Sequence, residues 1–245
     1  MKLTFLGTRG GIKVRSQKHY RHSSMLVSYY NAHILIDWGS DWLSRPLSFR
    51  PDAILLTHAH PDHAEGLKQG SPYKVYATNS TWNRIKTYPI ETKHTVIAYK
   101  PFTIRSFVCT AYPVRHSLNA PAVGYKIQAG KRTIFYAPDL VSIIKRHKAL
   151  KNCDAYIGDG AIIERSLLVR KRSIGKGRTT RIGHSPITEQ LKWCAQEGVN
   201  HVIITHCGSE IVTTEAQQIE QKLQALAKEY GVKVTLAYDG MTITI

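Results

Sequence analysis

The sequence predicts an α+β fold in which two packed β-sheets carry helices on their outer faces. Three observations predict it. Short runs rich in Val, Ile, Leu, Tyr and Thr, separated by Gly, Asn or Pro, occupy both halves of the 245 residues. Helical periodicity is sparse, enough in each half to cover one face of a sheet. Apolar residues make up 42% of the chain, enough to bury a core and too many for charge-rich disorder.

Taken in order, the strand signals are Leu3–Leu6, Ser24–Tyr29, His33–Asp37, Ala53–Leu56 and Lys74–Ala77. From Thr95 to Tyr136 the reading is almost entirely strand, clearest at Val108–Val114, Val123–Gln128 and Arg132–Tyr136. Helices are expected at Asn79–Lys86, Leu140–His147, Pro186–Glu197 and Thr213–Tyr230. The third has Pro near its start and Gly198 just past its end. In the fourth, Ile219, Leu223, Leu226 and Tyr230 recur at helical spacing and Gly231 follows. Val232–Ala237 and Met241–Ile245, around Asp239-Gly240, read as a closing pair of strands. No linker-like stretch or short-period repeat intervenes, so one domain, 1–245, is expected.

No run approaches the ~20 apolar residues that span a bilayer, and the N-terminus turns glycine-rich and basic too soon for a secretory signal. Cys109, Cys153, Cys194 and Cys207 form no CxxC pair, which indicates neither a zinc ribbon nor a disulfide framework. A cytoplasmic protein with no membrane partner is expected. Its 34 Lys+Arg against 17 Asp+Glu leave +17, which suggests a polyanionic partner.

The segment Thr57-His58-Ala59-His60-Pro61-Asp62-His63-Ala64-Glu65-Gly66 carries the chemistry. Three imidazoles and a carboxylate gathered at a strand end suit borderline-soft divalent metals such as zinc. His58 and His60 alternate, so both can point to one metal, while Asp62 and His63 lie past Pro61 and can reach a second. A solvated His-rich turn is the bland alternative, and four ligand-type residues at these offsets weigh against it.

This motif resembles the HxHxDH of the metallo-β-lactamase superfamily, and the resemblance runs over nearly the whole chain. Asp37 in Leu35-Ile36-Asp37-Trp38-Gly39 looks like the family's early Asp, which supports the metal site from behind its ligands. His116, Asp139 and His206 match the family's later ligands, in the family's order. The resemblance implies a four-layer αββα sandwich, in agreement with the two-sheet reading. It implies two divalent ions, Zn²⁺ or alternatively Mn²⁺. One would take His58, His60 and His116; the other Asp62, His63 and His206; Asp139 would be shared. Two such ions can hold a hydroxide at neutral pH and stabilise both oxygens of a displacement, so Asp62 also counts among the catalytic residues. His60 stands where the flavodiiron branch uses Glu, which leaves hydrolysis as the reaction type. The resemblance also allows a homodimer.

Within the superfamily the chain resembles ribonuclease Z and its phosphodiesterase relatives. The matching pieces are Leu6-Gly7-Thr8, Arg21-His22-Ser23-Ser24, Gly124-Tyr125-Lys126, Gly183-His184-Ser185-Pro186 and Asp239-Gly240-Met241. In those enzymes the His of a GHST segment pairs with the Glu of an upstream HEAT motif. Here His184 would pair with Asp159 of Gly158-Asp159-Gly160, a carboxylate one methylene shorter and preceded by Gly where the family has His. A His held by a carboxylate can protonate or stabilise a leaving oxygen. Asp159 could instead hold the turn or help the metal site.

Between the two lies a stretch with seven basic residues and no acidic one: Arg165, Arg170, Lys171, Arg172, Lys176, Arg178 and Arg181. It reads as a flexible basic loop emptying onto the active site, with phosphates as natural guests; a solvated surface is the alternative. A second basic patch, Arg9, Lys13, Arg15, Lys18 and Arg21 with His19, Tyr20 and His22, follows the first strand and could extend that surface. The long glycine-rich arm of ribonuclease Z has no counterpart here. The expected function is therefore a dinuclear-metal phosphodiester hydrolase, a nuclease on RNA or DNA. A hydrolase of a small phosphodiester, cyclic nucleotide, thioester or lactone is the second reading, and a silent nucleic-acid-binding module the third.

Overall fold

The computed structural model describes residues 1–45, 47–164, 167–174 and 178–245, and for 167–174 and 178–182 the backbone alone. The first sheet starts as an antiparallel meander, β1 (Lys2–Gly7), β2 (Ser24–Tyr29) and β3 (Ala32–Ile36). It continues in parallel through β4 (Ala53–Leu55), β5 (Val75–Thr78) and β6 (Lys93–Val96). The second sheet repeats the scheme. β7 (Pro101–Ile104), β8 (Phe107–Arg115), β9 (Ala122–Ala129) and β10 (Arg132–Tyr136) run antiparallel, with β11 (Ser142–Ile143) against β8. β12 (Ala155–Asp159) then joins β10 in parallel. β13 (Leu167–Ile174) and β14 (Arg178–His184) form a separate antiparallel ribbon. β15 (His201–Thr205) and β16 (Lys233–Leu236) extend the second sheet in parallel beyond β12. β17 (Thr242–Thr244) returns to pair with β1.

Both faces of each sheet are apolar, and that makes four layers. In β3, Ile34 and Ile36 face the other sheet while Leu35 faces outward; in β12, Ala155 and Ile157 face inward and Tyr156 outward. This is the period-two alternation of a strand with apolar residues on both sides. The inward residues meet Phe5, Phe107, Tyr125 and Ile203 in a core between the sheets. Outside the first sheet lie the short helices α1 (Pro61–Ala64) and α2 (Asn79–Arg84), with Trp38 stacked on Trp42. Outside the second lie α3 (Arg146–Leu150), α4 (Ile187–Glu197), α5 (Ser209–Thr213) and α6 (Ala216–Tyr230). Gly198 (φ 73°) and Gly231 (φ 66°) end α4 and α6 in the left-handed conformation, where a side chain would be strained.

Four local expectations need correction. The segment Leu140–His147 is not a helix: Ser142–Ile143, flanked by the β-branched Val141 and Ile144, forms β11, and the helix begins only at Arg146. The last long helix begins at Ala216 and not at Thr213, because Thr214 and Glu215 leave the helical conformation between the short helix α5 and α6. The two C-terminal strands do not pair with each other. β16 joins the second sheet and β17 the first, since Asp239 between them is anchored to the first loop. Lastly, the basic stretch is not a loop. β13 and β14 pair from Leu167↔His184 to Ile174↔Arg178, and β14 ends on His184. No helix among the described residues is long and apolar enough to cross a membrane.

Candidate active site

The titratable cluster sits where strands of both sheets end. His58 follows β4, Asp37 follows β3, His116 follows β8, Asp139 follows β10 and His206 follows β15, while Asp159 and His184 are the last residues of β12 and β14. Asp37 (φ 61°) and His206 (φ 52°) are left-handed, a conformation that costs a non-glycine residue about 1–3 kcal/mol and turns each side chain out of its strand.

Asp37 is fully buried. Its carboxylate accepts from the Thr57 backbone N–H (2.8 Å) and hydroxyl, and its Oδ2 lies 2.8 Å from His63 Nδ1. Thr57 Oγ1, its proton committed to Asp37, lies 3.1 Å from His58 Nδ1 and accepts from it. His116 Nδ1 is 3.1 Å from the Gly183 carbonyl. Each of these rings thus places its outer nitrogen on an acceptor, which turns the inner nitrogen toward the centre of the site.

The inner atoms converge. His60 Nδ1 is 2.9 Å from His58 Nε2 and 3.1 Å from His116 Nε2, and Asp139 Oδ2 is 3.5 Å from His58 Nε2. Nearby, His63 Nε2 and His206 Nε2 are 3.2 Å apart, each 3.7 Å from Asp139 Oδ2, and Asp62 Oδ2 is 3.4 and 3.3 Å from them. Imidazole nitrogens and carboxylate oxygens facing one another this closely in a buried site need protons or a cation between them. The donor set therefore fits divalent metal: the atoms of His58, His60, His116 and Asp139, those of Asp62, His63 and His206, and those of Asp139, Asp159, His184 and His206 each lie close enough to hold an ion. Asp139 Oδ2 also lies 3.7 Å from His63 and from His206 of the second group.

Charge in the cluster points the same way. Burial works to raise the Asp62 and Asp139 carboxyls. The imidazoles of His63 and His206 on Asp62, and of His116, His184 and His206 on Asp139, outweigh it and hold both well below the usual carboxylate range. Burial works to lower His206, but Asp139, Asp159 and Asp62 push it up to about 9. His58 and His60 go the other way: burial and their imidazole neighbours lower both, His60 to about 4. A cation entering this acidic side of the site displaces protons from it.

His184 stands beside the cluster and is about one-fifth exposed. Its Nδ1 is 2.8 Å from Asp159 Oδ2 and 3.1 Å from Asp139 Oδ1. Burial opposes protonation, but the two carboxylates raise His184 well above the ordinary imidazole value. Asp159 also accepts from the N–H of Leu140 and of Ala161 and lies 3.6 Å from His206 Nδ1. Asp159 thus holds the turn and lies beside both His184 and His206.

The second basic patch is only partly a surface. Arg9 is buried and paired with Asp41. His19 is 4% exposed, its Nδ1 2.8 Å from Thr8 Oγ1. Asp239 ties this loop down by accepting from the N–H of Thr8 (2.9 Å), Tyr20 (3.0 Å) and Arg21 (2.8 Å). The loop thereby reaches the metal end: a Cβ on Gly11 would stand 2.9 Å from Asp62 Oδ2. Lys13, Arg15 and His22 line a cleft of about 490 Å³ that opens beside Asp62. Of the proposed phosphate contacts on the ribbon, Lys176 lies outside the described residues, as do the side chains of Arg170, Lys171, Arg172, Arg178 and Arg181.

His19 gives the fold an acid sensitivity. Burial, with Lys18 adding to it, lowers its pKa from 6.5 to about 4. The folded state keeps it neutral where the unfolded chain takes up a proton. Its contribution to stability is full above pH 6.5 and is lost as the pH falls toward 4. At ~1.4 kcal/mol per pH unit this is about 3 kcal/mol. His19→Gln should flatten the dependence of urea-unfolding free energy on pH across that window, and an unchanged slope would assign the sensitivity elsewhere.

Gln190 escapes a reading of the sequence. It is fully buried in α4, and its amide bonds the backbone of Asp159 and Ser185. The one available signal is a polar residue three after Ile187 and four before Cys194, on the helix face that is buried.

A family model described as "Beta-lactamase superfamily domain" matches residues 33–207. The Anti-Pycsar protein Apyc1 of Bacillus phage 010DV004 is 25% identical over 254 residues, covering 86% of this chain and 90% of the phage protein. The metallo-beta-lactamase fold protein YhfI from Bacillus subtilis superposes with a TM-score of 0.76 at 19% identity, covering 99% of this chain and 98% of that one. The short form of human tRNase Z superposes with a TM-score of 0.67 at 18% identity, over 100% and 99% of the two chains. At these identities the superpositions speak for the fold alone.

Proposed function

The chain belongs to the beta-lactamase superfamily, and from that premise we propose that it is a metal-dependent phosphodiester hydrolase acting on nucleic acid. His58, His60 and His116 would hold one divalent ion and Asp62, His63 and His206 another, with Asp139 between them; Zn²⁺ and Mn²⁺ both suit the donors. When bound, such ions supply Lewis acidity and an activated water at neutral pH. The remaining tasks fall to the chain itself. Asp37 aims His63, and Thr57 aims His58. Asp62 stands at the foot of the cleft and anchors the second ligand group. His184, oriented by Asp159, donates a proton to the leaving oxygen. The carrying observation is the 2.8 Å pairing of His184 with Asp159 at the edge of the cluster, since leaving-group protonation is what an alkoxide-expelling reaction needs.

Charge supports the substrate class. The net +17, the Lys13 and Arg15 cleft and the basic ribbon that ends on His184 all favour a polyanion. The deciding experiment is turnover by the Zn²⁺- or Mn²⁺-loaded protein on single- and double-stranded DNA, RNA, cyclic nucleotides and a thioester. Turnover of the thioester alone would sink the proposal. Nucleic-acid affinity should fall steeply between low and physiological salt, whereas turnover of a small ester should not. Neutralising Arg170, Lys171 and Arg172 together should raise KM for long polyanions several-fold and barely change turnover of bis-p-nitrophenyl phosphate. Unchanged cleavage of nucleic acid by that triple variant would make the ribbon a solvated surface only.

A further inference from the structure

Four hydrogen bonds converge on one buried amide beside the Asp159–His184 pair. Gln190 Oε1 accepts from the Tyr156 hydroxyl (2.8 Å) and from the Asp159 N–H (2.9 Å). Gln190 Nε2 donates to the carbonyls of Asp159 (2.7 Å) and Ser185 (3.0 Å). The orientation of the amide is fixed by its partners, because the flipped group would set N–H against N–H and oxygen against oxygen. With 0% exposure and every donor and acceptor used, the amide costs little in desolvation and locks what it touches.

What it touches is the frame of the dyad. Asp159 ends β12 in the sheet, whereas Ser185 follows His184 at the end of the β13–β14 ribbon, which belongs to neither sheet. Gln190 therefore joins two elements that have no strand pairing to fix their separation. The sequence makes room for it. A Cβ on residue 158 would lie 2.4 Å from Gln190 Oε1 and 2.3 Å from the Tyr156 ring, so any side chain there would displace the amide. Gly158 stands where the HEAT-type segment that this stretch resembles has His, and one amide accounts for that departure.

We propose that Gln190 is the positioning residue of the Asp159–His184 pair, and that Gly158 provides the space in which it does so. The proposal rests on the reading of His184 as proton donor to the leaving oxygen. Gln190 holds the Asp159 and Ser185 backbones in one clamp, so that the short Asp carboxylate reaches His184 Nδ1. A displacement of about 1 Å in such a pair is worth on the order of 100-fold in rate.

The test uses the full chain, metal-loaded, with Gln190→Met (similar volume, no hydrogen bonds) and the milder Tyr156→Phe, which removes one of the four bonds. Turnover is measured on bis-p-nitrophenyl phosphate, whose leaving group needs no proton, and on dithymidine phosphate, whose alkoxide does. Gln190→Met should lower kcat on dithymidine phosphate ~10–100-fold, leave KM in place and change bis-p-nitrophenyl phosphate turnover less than about 3-fold. Tyr156→Phe should show the same pattern more weakly. Independently of activity, the His184 Nδ1–H resonance of ¹⁵N-histidine-labelled protein should shift or vanish in Gln190→Met, with the other imidazole resonances in place. Equal loss on both substrates together with a lowered Tm would overturn the proposal, as would an unmoved His184 resonance. If His184→Ala shows no leaving-group dependence, or the protein cleaves neither phosphodiester, the proton-donor reading falls and the resonance alone decides on Gln190.

Discussion

Asp139→Asn should strip the protein of most of its metal and nearly all of its hydrolysis. Asp139 stands with His58, His60 and His116 and lies beside the second ligand group, 3.5 Å from His58, 3.7 Å from His63 and 3.7 Å from His206. Asn preserves the shape and removes the charge. Replacing a residue that merely supports a metal ligand costs 10–100-fold in affinity, so loss of a shared carboxylate should exceed about 100-fold. The measurement is metal stoichiometry after dialysis at a fixed free Zn²⁺ or Mn²⁺ concentration, beside kcat. The fold should survive, because Asp139 is not part of the core between the sheets. A variant that keeps its full metal complement would refute the shared role and return Asp139 to an ordinary strand-end carboxylate.

His184→Ala should leave metal content intact and lower kcat by ~10²–10⁴ on substrates with poor leaving groups. The asymmetry follows from geometry. His184 Nδ1 faces Asp159 and Asp139, while His58, His60, His63, His116 and His206 point their inner nitrogens at one another. KM should move little, since the effect lies in the transition state. Equal losses for p-nitrophenyl and alkoxide leaving groups would mean that His184 contacts phosphate and transfers no proton.

The parts of this site differ in how far the sequence reveals them, and the difference is one of distance along the chain. His58, His60, Asp62 and His63 fall within six residues, so their spacing carries the chemistry unaided. His116, Asp139 and His206 are single residues at strand ends, and only their order in a family pattern makes them legible. Asp37 is legible as a motif, but its bond to His63 spans 26 residues and depends on a left-handed backbone that composition does not announce. Gln190 lies 31 residues from Asp159, and a buried glutamine in an amphipathic helix looks like any other polar position. The fold follows the same rule. Alternation along β3 and β12 exposes the two-sheet core, whereas the parting of β16 and β17 into different sheets depends on where one carboxylate, Asp239, finds its partners. The charge-dense stretch reads as a loop for a further reason: composition reports charge, whereas pairing of β13 with β14 is set by backbone geometry.

The anchoring of the first loop by Asp239 has a consequence in time. The wall that brings Gly11 against Asp62 and Gly10 against His206 is held by a residue 231 positions beyond Thr8. During synthesis the ligand residues therefore emerge long before the wall that encloses them can form. A ribosome-bound chain lacking Asp239 would carry the ligands without the closed cleft, and cleavage competence would follow only once Asp239 is in place. Stalled chains ending before and after Asp239, assayed on the ribosome, would read that delay directly, and equal cleavage by the two would dismiss it.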